Sequence, residues 1–387
     1  MVDIKNIVVL GAGLMGNGIA QVAIMAGYNV IMVDVKQEFV DKGMASINKG
    51  VNRLEEKGLL TAAEVLGRIK TSLDLASAVK DADMVIEAVV ERMDIKKQVC
   101  KTTMDNGPSH IIYASNTSTM DITEIGEDCG APERVSGMHF FNPVPLMRCI
   151  EVIRGDKTSD ETFQISMDVA KSFPCLRGER YIAPVLKSRP GFIVNRLNAP
   201  VGIYSHYIRD LAYEKGIPWE QLDADYAVLK SPMLPGVLSD YVGIDTSYYG
   251  GLYYAEKLSP DFKPGKVITM MFNEKKLGRK TGQGFYDWSE GRPTPDTSKK
   301  AGLVDFDIIA AIRMNEGCRL LEQGVAKSYT VIDDANMAGM NTPGPFARGK
   351  DRYKELVKKL EEFVALTGKT YLTPCEKFKS GKFLEMA

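Results

Sequence analysis

Residues 6–34 read NIVVLGAGLMGNGIAQVAIMAGYNVIMVD, and the order of elements in this stretch decides the fold. Ile7 to Leu10 is a continuous apolar run, the form of a parallel strand buried on both faces. Gly11-Ala12-Gly13-Leu14-Met15-Gly16 follows, and the apolar spacing then turns helical as far as Gly27. A second strand, Tyr28 to Val33, ends on Asp34, 18 residues past the last glycine of the turn. A bare GxGxxG says little, but strand, glycine turn, helix, strand and acid in this order form the βαβ dinucleotide-binding pattern. Gly11 permits the tight turn, Gly13 lets the backbone approach a pyrophosphate, and Gly16 lets helix and strand pack closely. With Leu14 and Met15 between them, these are the candidate cofactor residues, and the pyrophosphate belongs at the positive end of the helix. Asp34 suits a free ribose 2'-hydroxyl and repels a 2'-phosphate, so NAD is expected rather than NADP.

Outward from this unit, further strands are expected at Met84–Val90, Ile111–Ala114, Val135–Phe141 and Cys149–Ile153. The stretch from Glu38 to Leu66 is helical in pattern, a helix pair inserted between strands. The alternation predicts a Rossmann-type, doubly wound α/β domain over residues 1–187. From Arg189-Pro190-Gly191 onward the pattern is helical throughout. Residues 211–237 and 320–346 resemble each other: each runs from a helix ending in Glu-x-Gly, through Leu-Asp or Ile-Asp, to a Pro-rich turn. An all-α domain present in two copies is therefore expected, at 188–288 and 303–387, joined by the linker-like SEGRPTPDTSKKAG at 289–302.

A formal charge of -1 gives no electrostatic reason to expect nucleic acid or an anionic membrane as partner. No apolar run approaches the roughly 18 residues of a membrane span, and the N-terminus runs straight into a strand rather than a leader. Six scattered cysteines without a CxxC pair read as reduced thiols of a cytoplasmic protein, and no metal site is expected.

The chemistry centres on SGMHFFNPVPLMRCIEVI, residues 136–153. An enzyme that oxidises an alcohol with NAD must also remove the hydroxyl proton, and histidine, with an ordinary pKa of about 6.5, is suited to that task. By itself, a histidine in an apolar strand is more often a core residue. His139, however, is followed twelve residues on by Glu151, a carboxylate inside another apolar strand that needs a partner. Beside a nucleotide site, the pair reads as an acid/base dyad in which the carboxylate fixes the imidazole tautomer. His110 and His206 have no carboxylate at a matching position and read as structural or surface residues.

GAGLMGNGIA, EAVVER, ASNTS, MHFFNPVPLM, IEVI, RPGFIVNRL and GRKTGQGFY, in this order, resemble the (S)-3-hydroxyacyl-CoA dehydrogenase family over about residues 5–288, and the helical repeat resembles its duplicated C-terminal domain. The resemblance implies NAD-dependent interconversion of a 3-hydroxyacyl-CoA and its 3-ketone. It implies His139 as acid/base, Glu151 as its orienting partner, Ser118 on the substrate's 3-oxygen and Asn195 near substrate or histidine. It places Glu91, Lys96, Asn116 and Lys280 at the cofactor, and Ser46, Arg53 and Asn142 with Ser118 at the acyl-CoA substrate. Read without it, Lys96 and Lys280 would be solvated lysines, Asn116 and Ser118 helix caps, and Ser46, Lys49 and Arg53 one exposed helix face. The Gly-Pro-Phe turn is intact only in the second copy, as TPGPF, while the first has PMLPG, which bears on chain length and assembly. A short acyl chain is favoured, and the chain is expected as a monomer with an internal pseudo-dimer or as a homodimer. The alternatives are a β-hydroxyacid dehydrogenase acting on a free small acid and a non-catalytic NAD-binding protein.

Overall fold

The computed structural model describes residues 3–387, which form two compact units. One contains the chain up to Asn195 with Leu320–Ala347 and Glu385–Ala387; the other contains Arg196–Arg319 and Arg348–Leu384.

The first unit is built on eight strands: β1 Asn6–Leu10, β2 Asn29–Val33, β3 Ile69–Ser72, β4 Met84–Glu87, β5 Ile112–Ser115, β6 Val135–Phe140, β7 Cys149–Arg154 and β8 Tyr181–Val185. Their order in the sheet is β3-β2-β1-β4-β5-β6-β7-β8. All neighbours are parallel except β6 and β7, which run antiparallel. From β1 the chain winds outward through β2 and β3, then returns to place β4 on β1's other side. The loops leaving β1 and β4 therefore part in opposite directions, and a crevice opens at their carboxyl ends.

Two strands escape the hydrophobic pattern. The edge strand β3 is polar at all but its first residue (IKTS), and β8, also at an edge, carries Pro184, which no central strand tolerates. The strand expected to reach Val90 stops at Glu87, because the Glu87 carboxylate accepts the Val89 N–H at 2.7 Å and turns the chain. Helix α1, Leu14–Met25, and helix α2, Gln37–Glu55, pack together beside β1 and β2, with α2 burying Val40, Gly43, Ile47, Val51 and Leu54. The helix Asp160–Ser172 covers β6 to β8 from the side of Met138, Phe140, Ile150 and Val152. The helix Tyr329–Met340 lies on β7 and β8 in the same unit.

The second unit is helical, with only isolated β-bridges at residues 278–287 among the described residues. GRKTGQGFYDW folds around Asp240, whose carboxylate accepts the N–H groups of Phe285 and Tyr286 and the Trp288 indole at 2.8–3.0 Å. Residues on either side of the linker knit together here. Asp225 accepts the N–H groups of Gly302, Leu303 and Val304. Buried Glu316 binds Arg196 at 2.5 Å, Arg319 at 2.6 Å and the Tyr371 hydroxyl at 2.9 Å. Tyr204 and Tyr207 both place their rings edge-on to Phe363.

His110 makes a surface contact with Asp83 at 3.1 Å. His206 is different: its Nδ1 accepts the Gly265 N–H at 3.3 Å, and burial, with Arg209 and Lys369 adding to it, holds the ring neutral with a pKa lowered to about 4.

Candidate active site

The crevice begins at the glycine turn. Gly11 has φ +103°, and a Cβ there would lie 2.5 Å from the Ala88 carbonyl oxygen, because the loops after β1 and β4 touch at this point. A Cβ on Gly16 would lie 1.8 Å from the Gly11 carbonyl oxygen, so α1 sits directly on the turn. Gly13 is the opposite case. A side chain there would meet nothing within 4 Å, so its backbone borders open space. Helix α1 starts at that spot with no side-chain cap and no acidic residue in its first turn, leaving its first N–H groups to an anion. Leu14 is exposed beside the opening, and Met15 lines the cleft. Asp34, at the end of β2, accepts the Ala12 N–H through Oδ2 and the Val35 N–H through Oδ1, each at 2.7 Å. Each oxygen keeps a lone pair for a ribose hydroxyl. Open backbone, uncapped helix and acid are the shape and chemistry that NAD requires.

Beyond β4 the cleft, about 410 Å³ in volume, is lined by Met15, Ala88, Glu91, Lys96, Asn116, Ser118, His139, Phe141 and Asn142 among others. His139 and Glu151 face each other directly in the antiparallel register of β6 and β7. The imidazole Nδ1 lies 2.6 Å from Glu151 Oε2. The other carboxylate oxygen, Oε1, accepts the N–H groups of Ile193 and Val194, each at 3.0 Å, from the start of the helix Val194–Asn198. The residue before them, Phe192, adopts φ +52°, which turns the chain so that both N–H groups reach the carboxylate. Glu151 has no exposed surface and His139 only 5%. Rings of Phe141 and Phe192 lie 4.6 and 5.9 Å from the imidazole. With Nδ1 held by the carboxylate, Nε2 is the nitrogen left for a substrate.

Lys96 is not a surface lysine. Its side chain is 1% exposed, its ammonium lying 2.7 Å from Glu87 Oε1 and 3.2 Å from Glu91 Oε2. Glu87, also without exposed surface, accepts the Ser115 hydroxyl at 2.6 Å. Glu91 Oε1 in turn gathers the Thr117 hydroxyl at 2.5 Å and the Ser118 N–H at 3.1 Å. A chain of charges thus runs from the sheet to the loop that presents Ser118. Of Lys96's three N–H groups, two face carboxylates and one remains. Glu87 and Ser115 are missing from the sequence-based site, although the signal was the one that revealed Glu151: a carboxylate within a fully buried strand.

Asn116 and Ser118 do not cap a helix. The following helix, Ile122–Gly126, is capped by Asp121, while Asn116 Oδ1 accepts the Phe140 N–H at 2.9 Å and so locks β6 next to His139. The Ser118 carbonyl oxygen accepts the Asn195 side-chain N–H at 3.5 Å, and its hydroxyl has no partner among the described residues. Asn142 is exposed at the cleft. Ser46, Lys49 and Arg53 share the solvent face of α2; the Ser46 hydroxyl bonds the Lys42 carbonyl oxygen, and neither cation is ion-paired among the described residues. Lys280 belongs to the second unit, where both Asp245 oxygens hold its ammonium at 2.6–2.7 Å. Of the residues named for cofactor and substrate beyond the glycine turn, Glu91, Lys96, Asn116, Ser118 and Asn142 line the cleft with His139, whereas Ser46, Arg53 and Lys280 do not.

Two domain profiles match the chain: the 3-hydroxyacyl-CoA dehydrogenase NAD binding domain over residues 6–174, and the C-terminal domain of the same enzymes over residues 191–288. The chain belongs to the 3-hydroxyacyl-CoA dehydrogenase family. One relative is the fatty acid oxidation complex subunit alpha of Psychrobacter cryohalolentis, 34% identical over 96% of this chain; the chain spans only 54% of that protein, about half the length of the curated relatives it matches there. Among solved structures, (S)-3-hydroxybutyryl-CoA dehydrogenase from Ralstonia eutropha is 35% identical, with TM-score 0.67, over 74% of this chain and 100% of its own. The 3-hydroxybutyryl-CoA dehydrogenase of Escherichia coli K12 covers 99% of both chains with TM-score 0.84 at 24% identity, a likeness of fold. For a 3-hydroxyacyl-CoA dehydrogenase family member, the glycine turn, Asp34 and the His139 cleft stand in one unit, as hydride and proton chemistry require.

Proposed function

We propose that the protein interconverts (S)-3-hydroxyacyl-CoA and 3-ketoacyl-CoA with NAD, preferring a short chain such as 3-hydroxybutyryl-CoA/acetoacetyl-CoA. The observation that carries this reading is the His139 imidazole, tethered through Nδ1 to a buried carboxylate at 2.6 Å and lining the same cleft as Met15, Lys96 and Ser118. NAD, held by Gly11 to Gly16, Asp34 and the remaining Lys96 N–H, supplies the hydride acceptor at C4 of its nicotinamide. In the oxidative direction, His139 Nε2 takes the 3-hydroxyl proton while the hydride leaves C3. Glu151 keeps the proton on Nδ1 and stabilises the imidazolium that forms. In reduction the same nitrogen returns the proton. The Ser118 hydroxyl and the Asn195 amide hold the 3-oxygen against Nε2, Asn142 borders the acyl group, and Glu91 and Asn116 fix the loop and strand that carry these groups. Ser46 and Arg53, on the open face of α2, suit the phosphates of coenzyme A.

The helical part of the chain is, in this reading, a duplicated domain whose copies form a pseudo-dimer within one chain. Matching caps support it. Asp223 Oδ1 accepts the Gly236 N–H at 2.8 Å and Asp333 Oδ1 accepts the Phe346 N–H at 3.0 Å, each 13 residues on. The short-chain preference draws on the Ralstonia eutropha enzyme.

The test is NADH oxidation followed by absorbance with acetoacetyl-CoA, longer 3-ketoacyl-CoA esters and free acetoacetate. The expected order places acetoacetyl-CoA first by kcat/KM. A better rate with free acetoacetate would make the protein a β-hydroxyacid dehydrogenase, and no NADH consumption with any of them would leave an NAD-binding protein without this activity.

A further inference from the structure

The face of the sheet that carries the dyad is closed by part of the chain beyond both matched family domains. On β7, Ile150 and Val152 point into the core beneath the helix Asp160–Ser172, whereas Cys149 and Glu151 point to the opposite side. That side is covered by the helix Tyr329–Met340, which packs on β7 and β8. Its buried stripe runs Ile332, Ala335, Asn336, Gly339, so a glycine comes last, where the helix meets the end of the sheet near His139. A Cβ on Gly339 would lie 3.3 Å from Cε1 and Cζ of Phe141 and 3.4 Å from Cβ of Cys149. The Phe141 ring lies 4.6 Å from the imidazole of His139, tilted by 54°. On its other flank the imidazole is tied to Glu151 at 2.6 Å. A side chain on Gly339 would therefore press on the Phe141 ring, which in turn lies beside the imidazole.

We infer that Gly339 is a positioning residue for His139: the bare helix backbone at this point seats Phe141 at the depth that keeps the imidazole in line with Glu151 and the substrate. Helix propensity does not account for a glycine inside this helix, since alanine would favour the helix and its φ imposes no positive-angle requirement. The second helical copy thus takes part in catalysis through Phe141, in addition to packing. The inference rests on the acid/base reading of His139.

The test uses the full-length protein. In Gly339→Ala the ring must give by a few tenths of an ångström, and kcat is expected to fall roughly 3- to 10-fold without a lower thermal midpoint. In Gly339→Val, a displacement of the ring near 1 Å lowers kcat about 100-fold. NADH affinity, read by fluorescence, stays at the wild-type value in both. In a Phe141→Leu background, where the smaller side chain leaves room, Gly339→Val costs less than about threefold, a coupling that simple destabilisation does not produce. Wild-type kcat in Gly339→Ala and Gly339→Val, or equal factors in the two backgrounds, overturns the inference. If Gly339→Val does not fold, Gly339→Ala alone decides. His139→Asn, assayed in parallel, separates the two ideas: its full turnover sinks the dyad, whereas an inert His139→Asn beside a fully active Gly339→Val sinks only the role of Gly339.

Discussion

Glu151→Gln is an isosteric change whose cost follows from the three hydrogen bonds of the carboxylate. In one orientation the amide oxygen keeps the Ile193 and Val194 N–H groups, now at 3.0 Å each, and the amide nitrogen faces His139 Nδ1. Nδ1 must then accept, so the ring proton moves to Nε2 and the base is lost. In the flipped orientation the tautomer is right, but the amide nitrogen faces two buried backbone donors. Leaving each unpaired costs about 1–3 kcal/mol, so together at least about 2 kcal/mol, and the productive form falls to a few per cent of the population or less. Loss of the charge that stabilises the imidazolium adds roughly another 1.5–3 kcal/mol in the transition state. The expected fall in kcat is therefore roughly 400-fold or more, in both reaction directions, with NADH affinity unchanged. The assay is steady-state turnover of acetoacetyl-CoA and of (S)-3-hydroxybutyryl-CoA, with NADH binding by fluorescence. A folded Glu151→Gln protein within tenfold of wild-type kcat would refute the reasoning.

Three further outcomes are expected. His206, with its pKa lowered to about 4 by burial, titrates before this point in the unfolded chain, at about 6.5. Its contribution is therefore complete above pH 6.5 and lost as pH falls toward 4, by about 3 kcal/mol in all; urea midpoints of wild type and His206→Asn should diverge over that window, and parallel curves would contradict it. Lys96→Met strands Glu87 in a site with no exposed surface, and should cost about 3–5 kcal/mol of stability, read as a lower thermal midpoint; an unchanged midpoint would show that the ion pair is not what holds this loop. Gly11→Ala forces a Cβ to 2.5 Å from the Ala88 carbonyl oxygen at φ +103°, and should abolish measurable NADH binding; retained affinity would mean that the turn relaxes without loss.

The sequence revealed the nucleotide end of the fold because each step there, strand, turn, helix and acid, is a local signal. It revealed the dyad because two strands with a short connection bring residues twelve apart face to face, as His139 and Glu151 are. Glu87 carries the same signal as Glu151, but its partner is not legible, since Lys96 reads as an exposed lysine until the helix Met93–Asn106 buries it. β3 and β8 escaped because edge strands lack the apolar runs of central ones. The similarity of residues 320–346 to 211–237 says that both stretches form like helices; it does not say which surface each one covers. Only the fold shows Leu320–Ala347 within the unit of the sheet, with Gly339 against Phe141.

The central claim is that His139, held by Glu151, moves the proton in a reaction on a 3-hydroxyacyl-CoA. Its most direct test is acetoacetyl-CoA-dependent oxidation of NADH by wild type and His139→Ala, with NADH affinity measured on both. Steady turnover by the wild type, a loss of about 10³-fold or more in the mutant, and equal NADH affinity are the expected results. A His139→Ala protein that binds NADH and turns over at the wild-type rate would contradict the account.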